Sequence, residues 1–317
     1  MPEEQTFIPP EPLHTAVLFL IYKRPDTTKQ VFEAIRQAKP TRLYVAADGP
    51  KADVLGEAEK VQQARDIVLN GVDWDCEVKT LFRDTNLGCK YGVSGGIDWF
   101  FEHEEEGIIL EDDTLPSQSF FWFCQELLER YRYDTRIFLI SGYNKQGVWK
   151  CAESDYFFSN YGGIWGWASW RRAWAHNDIN LKWLDEAIKR KALLNLLGKR
   201  QGKARETVIQ RANCKIDTWD YSWGFSRHIN NGLACVPSKS LIQNIGFSPE
   251  ATHTIAKNRN QVAAQNIKLS LASNVFVVPD REYDALFFPV RHSLVRLPYH
   301  LSKTFYRKIK SLFKKTD

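Results

Sequence analysis

The stretch Gly107-Ile108-Ile109-Leu110-Glu111-Asp112-Asp113 runs from an apolar, β-branched segment straight into three adjacent carboxylates. The apolar part reads as a buried strand, and the acids mark its carboxyl end. Three neighbouring negative charges repel one another unless something cationic joins them, and a divalent metal is the usual answer. Oxygen ligands suit Mg²⁺ or Mn²⁺, which keep waters and bridge to substrate phosphates instead of being caged by protein alone. A solvated acidic turn that caps the next helix is the competing reading.

Upstream, the same order of strand, polar turn and helix occurs three times. Ala16 to Ile21 closes in Lys23-Arg24-Pro25-Asp26, with Asp26 or Thr27 placed to cap a helix through Ala38. Arg42 to Ala47 leads through Asp48-Gly49-Pro50 to a helix over Ala58 to Leu69. Glu77 to Phe82 leads through Asn86-Leu87-Gly88 to a helix from about Val93 to His103. Downstream, Gln118 to Arg132 is helical after Pro116, and Ile137 to Ser141 is a further strand. This alternation predicts an α/β fold: a doubly wound, mostly parallel sheet flanked by helices, with ligands at the carboxyl ends of the strands. Every polar cluster just named lies at such an end. Then come an aromatic, Gly-rich stretch from Tyr156 to Trp174 and a basic helical segment from Leu181 to about Ala212. Asp217 to Trp223 opens another helix, and Ala234 to Pro237 reads as a short strand.

Composition sets the outer limits. A chain of 317 residues, 44% hydrophobic, 26% charged and 13% aromatic, is not disordered as a whole. Its longest apolar run, Ala16 to Tyr22, is too short to span a bilayer, and Met1 to Glu4 lacks the basic start of a secretory signal, so a cytoplasmic location is expected. The six cysteines show no paired spacing and read as buried, reduced thiols. The net charge of +5 is concentrated in the tail, where eight Lys or Arg face one acid between Arg291 and Asp317. The rest of the chain is therefore slightly acidic, and nucleic acid is not an expected partner.

Other candidates cluster around the same strand ends. Arg24 is placed to meet a phosphate or base, and Asp48 could accept a hydrogen bond from a base or ribose. Neither a G-x-x-x-x-G-K-[ST] loop nor a G-x-G-x-x-G fingerprint after the first strand is present, which disfavours P-loop hydrolysis and nicotinamide chemistry. Tyr161 to Trp170, with Trp167 at its centre, sets glycines beside flat rings and suits either a surface that stacks on sugars or bases, or a packed core. Asp217 and Asp220 stand among Trp219 and Trp223, where desolvation favours a general base, although Asp217 is also a natural helix cap. His253 could ligate a metal or phosphate.

Taken in order, these segments resemble the nucleotide-sugar-dependent glycosyltransferases of GT-A fold, most closely the N-acetylglucosaminyltransferase I group and related bacterial proteins. The similarity runs from about Ala16 to Thr254. It implies that Glu111-Asp112-Asp113 is the metal-binding motif, with Asp113 the direct Mn²⁺ (or Mg²⁺) ligand and Asp112 nearer the nucleotide. It implies that Arg24 and Asp48 hold the uridine, that the stretch containing Trp167 lines the donor site, and that His253 belongs to a loop closing over the diphosphate. Trp219-Asp220 resembles the Trp-Asp motif that supplies the base, with Asp217 in reserve. The expected organisation is a flexible leader over 1–13, a nucleotide-sugar-binding half over 14–140, an acceptor and catalytic half over 141–288, and a basic tail over 289–317. The expected partners are a nucleotide-sugar, most simply a UDP-sugar, and a glycan or lipid-linked saccharide acceptor. In the tail, Leu301, Phe305, Ile309 and Phe313 recur every four residues among lysines, a pattern suited to a peripheral position on an anionic inner membrane face. Two other readings remain beside this one: an acidic-cluster phosphohydrolase, and a non-catalytic sugar-binding protein on the same fold.

Overall fold

The computed structural model describes residues 7–150, 154–246, 262–268, 271 and 276–288. In chain order the elements are β1 (Val17–Ile21), α1 (Pro25–Ala38), β2 (Arg42–Ala47), α2 (Glu57–Leu69), β3 (Glu77–Phe82), α3 (Gly88–His103), β4 (Glu106–Glu111), β5 (Thr114–Pro116), α4 (Gln118–Arg130) and β6 (Ile137–Ser141). Then follow β7 (Tyr156–Ser159), β8 (Trp167–Trp170), α5 (Arg171–Trp174), α6 (Leu184–Lys189), α7 (Ala192–Leu197), α8 (Lys199–Lys215), α9 (Asp220–Ile229), β9 (Leu233–Pro237), β10 (Ile242–Asn244) and α10 (Arg281–Phe287).

Among the described residues, eight strands form one sheet in the order β3-β2-β1-β4-β8-β6-β9-β7. β3, β2, β1 and β4 are mutually parallel, β8 is antiparallel to both its neighbours, β6 and β9 are parallel, and β7 is antiparallel at the edge. The α/β class with a mostly parallel, doubly wound sheet is thus the one expected. The pleat sorts the core: Val17, Phe19 and Ile21 pack toward α1, α2 and α4, while Leu18 and Leu20 pack toward α3, α5 and α9. Burial on both faces explains why β1 is apolar throughout, whereas the half-exposed β3 at the edge carries Glu77 and Lys79. The carboxyl ends of the adjacent β1 and β4 form the switch point, because β1 is followed by a helix on one face and β4 is preceded by one on the other.

Several boundaries differ from the sequence expectation. α1 starts at Pro25, with Arg24 as its cap position, because proline is pre-set for the first helical turn. The basic segment splits into α6, α7 and α8 at Lys191 and Gly198. The aromatic stretch contributes two strands and a short helix, and β8 enters the sheet beside β4. Its Trp167 and Trp170 fill buried positions on opposite faces. No described helix is long and apolar enough to cross a membrane. Of the cysteines, Cys124 and Cys235 are buried and free, and Cys76 and Cys89 are half-buried and free.

Candidate functional site

A cleft of about 450 Å³ opens at the switch point. Arg24, Asp48, Glu111, Asp112, Asp113, Asp217 and Asp220 all border it, so the structure brings together seven of the nine residues singled out from the sequence. Trp167 does not border it, and His253 lies outside the described residues, as do the tail over 289–317 and residues 1–6 of the leader.

The acidic triplet already has a cationic partner. The Arg24 guanidinium donates to Asp113 Oδ2 at 3.1 Å and to Asp112 Oδ1, while the Tyr22 backbone N–H donates to Asp112 Oδ2 at 3.2 Å. Asp112 is 3% exposed, and burial, offset in part by Arg24 and reinforced by Asp113, pushes its carboxyl up to about 6. Glu111 is also pushed up: burial acts first, then the charges of Asp113 and Asp112. Its carboxylate accepts no hydrogen bond among the described residues.

Asp48 and Asp217 serve one helix. At its first turn, the N–H groups of Leu87 and Gly88 donate to Asp48 at 3.0 and 3.1 Å, and those of Cys89 and Lys90 donate to Asp217 at 2.9 Å each. The four backbone donors that a helix start leaves without a partner are thereby satisfied. Gly88 has φ +78°, and a Cβ there would meet Asp217 Oδ2 at 2.5 Å, so the position demands glycine. This pair of acids explains why α3 begins at Gly88, earlier than the expected Val93. Asp48 also accepts from Gly49 N and from Asn86 Nδ2, both at 3.0 Å, so contact with a nucleoside would displace an existing bond. Asp217, expected as a reserve base or a helix cap, has both oxygens engaged by the first turn of α3.

Asp220 keeps a free oxygen. The Thr218 hydroxyl donates to its Oδ1, and Oδ2 has no partner among the described residues. Behind it, Trp219 stacks on Trp167 with ring centroids 5.8 Å apart and planes 23° off parallel. Trp167 itself has no exposed surface, which corrects its expected place in the lining: it supports Trp219, and Trp165 is the tryptophan of that stretch at the cleft.

Sequence reasoning missed a second knot on the rim. Glu57, 2% exposed, accepts from the Tyr22 hydroxyl, from Lys23 Nζ and, at 2.9 Å, from Lys51 N. Burial opposes ionisation there, yet bonds from Lys23 and Tyr22 hold the carboxyl down at about 2. No sequence motif signals this, because its members meet only through the β1 and β2 turns. Cys89 also faces the cleft, but burial and the charges of Glu111, Asp217 and Asp220 push its thiol up to about 12, which makes it unreactive.

Among the described residues, no three His, Cys, Asp or Glu side chains converge as a metal cage. Six carboxylates line the cleft against Lys23, Arg24 and Lys51. Two of the six are engaged by α3 and Asp112 has both oxygens bonded, leaving Glu111, one oxygen of Asp113 and one of Asp220 without a partner among the described residues. These residues fit a hard cation held by one or two carboxylates and completed by the oxygens of a ligand.

No protein-family model and no curated protein matches the chain. Among solved structures it is similar to a UDP-glucose pyrophosphorylase complexed with UDP-glucose, at 10% identity over 73% of this chain and 92% of that one, with a TM-score of 0.37. It is similar also to a 4-diphosphocytidyl-2C-methyl-D-erythritol synthase from Anaerococcus prevotii, at 8% identity over 72% and 91%, TM-score 0.36. A third is mouse xyloside xylosyltransferase 1 in its apo form, at 10% identity over 67% and 80%, TM-score 0.33. At such scores the likeness is loose, and the functional reading rests on the cleft.

Proposed function

We propose that the protein is a glycosyltransferase of GT-A type that moves a sugar from a UDP-sugar to a hydroxyl of a glycan or lipid-linked saccharide, with inversion. The observation that supports it is the placing of Asp220, one carboxylate oxygen free, across a switch-point cleft from Arg24 and the acidic triplet. Binding at the carboxyl ends of β1 and β4 puts a nucleotide where doubly wound sheets hold one.

In this reading Asp220 Oδ2 takes the proton of the acceptor hydroxyl as it attacks the anomeric carbon in a single displacement. Thr218 orients that carboxylate through its other oxygen, and the Trp219–Trp167 stack fixes the start of α9 beneath it. Arg24 holds Asp112 and Asp113 in register and lowers the charge that a diphosphate meets. Asp113, whose Oδ1 has no partner among the described residues, and Glu111 would hold Mn²⁺ or Mg²⁺. When bound, the cation would offset the charge of the departing diphosphate.

The test is the thermal midpoint of the purified protein with UDP, with Mn²⁺ and with both, since a ligand specific for the native state raises it by mass action. A rise that needs both together is the expected result. No rise with UDP under either condition would overturn the donor site, and the same rise without metal would remove the cation from it.

A further inference from the structure

Asp220, Gly224, Arg227 and His228 are spaced i, i+4, i+7 and i+8 along α9 and so share one face of the helix. Arg205 of α8 lies across that face, close against it: a Cβ on Gly224 would meet its Nη2 at 2.5 Å. The Arg205 guanidinium carbon is also 5.8 Å from the ring of Tyr221, a residue that lines the cleft. This cationic face therefore starts beside Asp220 and runs away from the donor side.

Its donors have nothing to bond. Arg227 is 3% exposed, and its Nε and Nη1 are buried with no partner. The same holds for Arg205 Nε and the Tyr161 hydroxyl; His228 is not a donor to the space, because its Nε2 donates to Asn160 O at 3.0 Å and the Nδ1 of the neutral ring is then an acceptor. Neither arginine has an ion pair among the described residues. The nearby acids are bonded to other groups: Asp284 accepts from the Ser159 hydroxyl at 2.5 Å and from Asn160 N and Nδ2 at 3.1 and 2.6 Å, and Glu206 pairs with Lys203 through Oε2 at 3.4 Å, its buried Oε1 meeting neither arginine within hydrogen-bond distance. Burial first, and repulsion from Arg205 second, pull Arg227 down to about 9. Arg227, buried, and Arg205, half-buried, feel the charges of Asp284 and Asp220 but hydrogen-bond to no carboxylate, which is unfavourable, and an oxyanion is the ligand their forked donors match.

We propose that Arg205 and Arg227, with the Tyr161 hydroxyl beside them, form an oxyanion site that takes a phosphate group. If the glycosyltransferase reading holds, on which this part alone rests, the phosphate belongs to the acceptor. The acceptor's hydroxyl then meets Asp220 while its anionic group lies one to two helical turns along α9, roughly 6–10 Å away. A neutral acceptor would leave the arginines unpaired, so the site would select phosphorylated acceptors over neutral ones.

The experiment uses the full chain and titrates inorganic phosphate against chloride at equal ionic strength, following the thermal midpoint and the heat of binding. Arg205→Gln and Arg227→Met are compared with the wild type, and UDP binding is measured in parallel as a check on the fold. The wild type should respond saturably to phosphate, and both variants should lose at least about tenfold in phosphate affinity while keeping UDP binding. Because the removed charge is buried and unpaired, Arg227→Met should unfold at a higher temperature than the wild type without phosphate. A hexose phosphate supplies the second arm: tighter binding than inorganic phosphate, strengthened by UDP, assigns the group to an acceptor, whereas equal binding assigns the site to free phosphate. Absence of a saturable response in the wild type, or an undiminished response in both variants, overturns the site. A phosphate response that persists where UDP fails to bind sinks the donor reading and leaves the oxyanion site standing.

Discussion

Asp48 and Asp217, distant in the sequence, bind consecutive backbone N–H groups at the start of a single helix, Asp48 those of Leu87 and Gly88 and Asp217 those of Cys89 and Lys90. The first acid ends β2 and the second precedes α9, so α3 ties the donor-side rim to the segment that carries Asp220. Removing either acid takes the partner from backbone donors of exposed or half-buried residues at the helix start.

Asp217→Ala is therefore expected to cost stability in the range of a lost helix cap, about 0.5–2 kcal/mol, in urea or thermal unfolding. A conserved stability with lost turnover would instead show Asp217 acting on substrate.

For Asp220→Asn the opposite pattern is expected. If Asp220 is the base, turnover falls by about a hundredfold to ten-thousandfold, while the UDP affinity and the unfolding midpoint stay near wild type. Rates within a few-fold of wild type would remove Asp220 from the chemistry.

The two tryptophans of the Gly-rich stretch should separate cleanly. Trp167→Ala empties a fully buried site beneath Trp219 and is expected to cost about 3–5 kcal/mol of stability. Trp165→Ala, at the cleft, should weaken donor binding with a much smaller effect on unfolding. Equal stability losses in both would contradict the placement.

Glu57 gives a pH signature. Its carboxyl is held at about 2, below the ordinary 4.5, so the ionised form is favoured in the folded state. The stability it contributes is complete above the unfolded value near 4.5 and is lost as pH falls through the folded value near 2. The unfolding free-energy gap between wild type and Glu57→Gln should be flat above about pH 5 and shrink from there toward pH 2. A gap that does not change over that range would show that Glu57 is not held ionised by Lys23 and Tyr22.

The tail gives a last expectation. Deleting the residues after Leu297 should abolish binding to anionic liposomes and leave the response to UDP intact, as measured by co-sedimentation. Unchanged sedimentation would discard the amphipathic anchor.

What the sequence determined by itself is local. Apolar runs ending in polar turns fixed the alternation of β1 to β4 with their helices, because side-chain period and turn chemistry act over a few residues. The same logic placed Arg24, Asp48 and the acidic triplet at strand ends, hence on one rim. Tertiary structure decided what each of those groups does there. Arg24 joins Asp112 and Asp113 only because β1 and β4 are neighbours in the sheet, and Asp217 becomes a cap only because the segment before α9 folds onto α3. Trp167 is apolar and aromatic in any context, but insertion of β8 between β4 and β6 is what seals it from the cleft. Arg205 of α8 and Arg227 of α9 were invisible as a pair, since composition reports a basic helix and only packing shows buried donor atoms with no partner. Charge pairing and burial are properties of distance in space, and those distances here are set by contacts far apart in the chain.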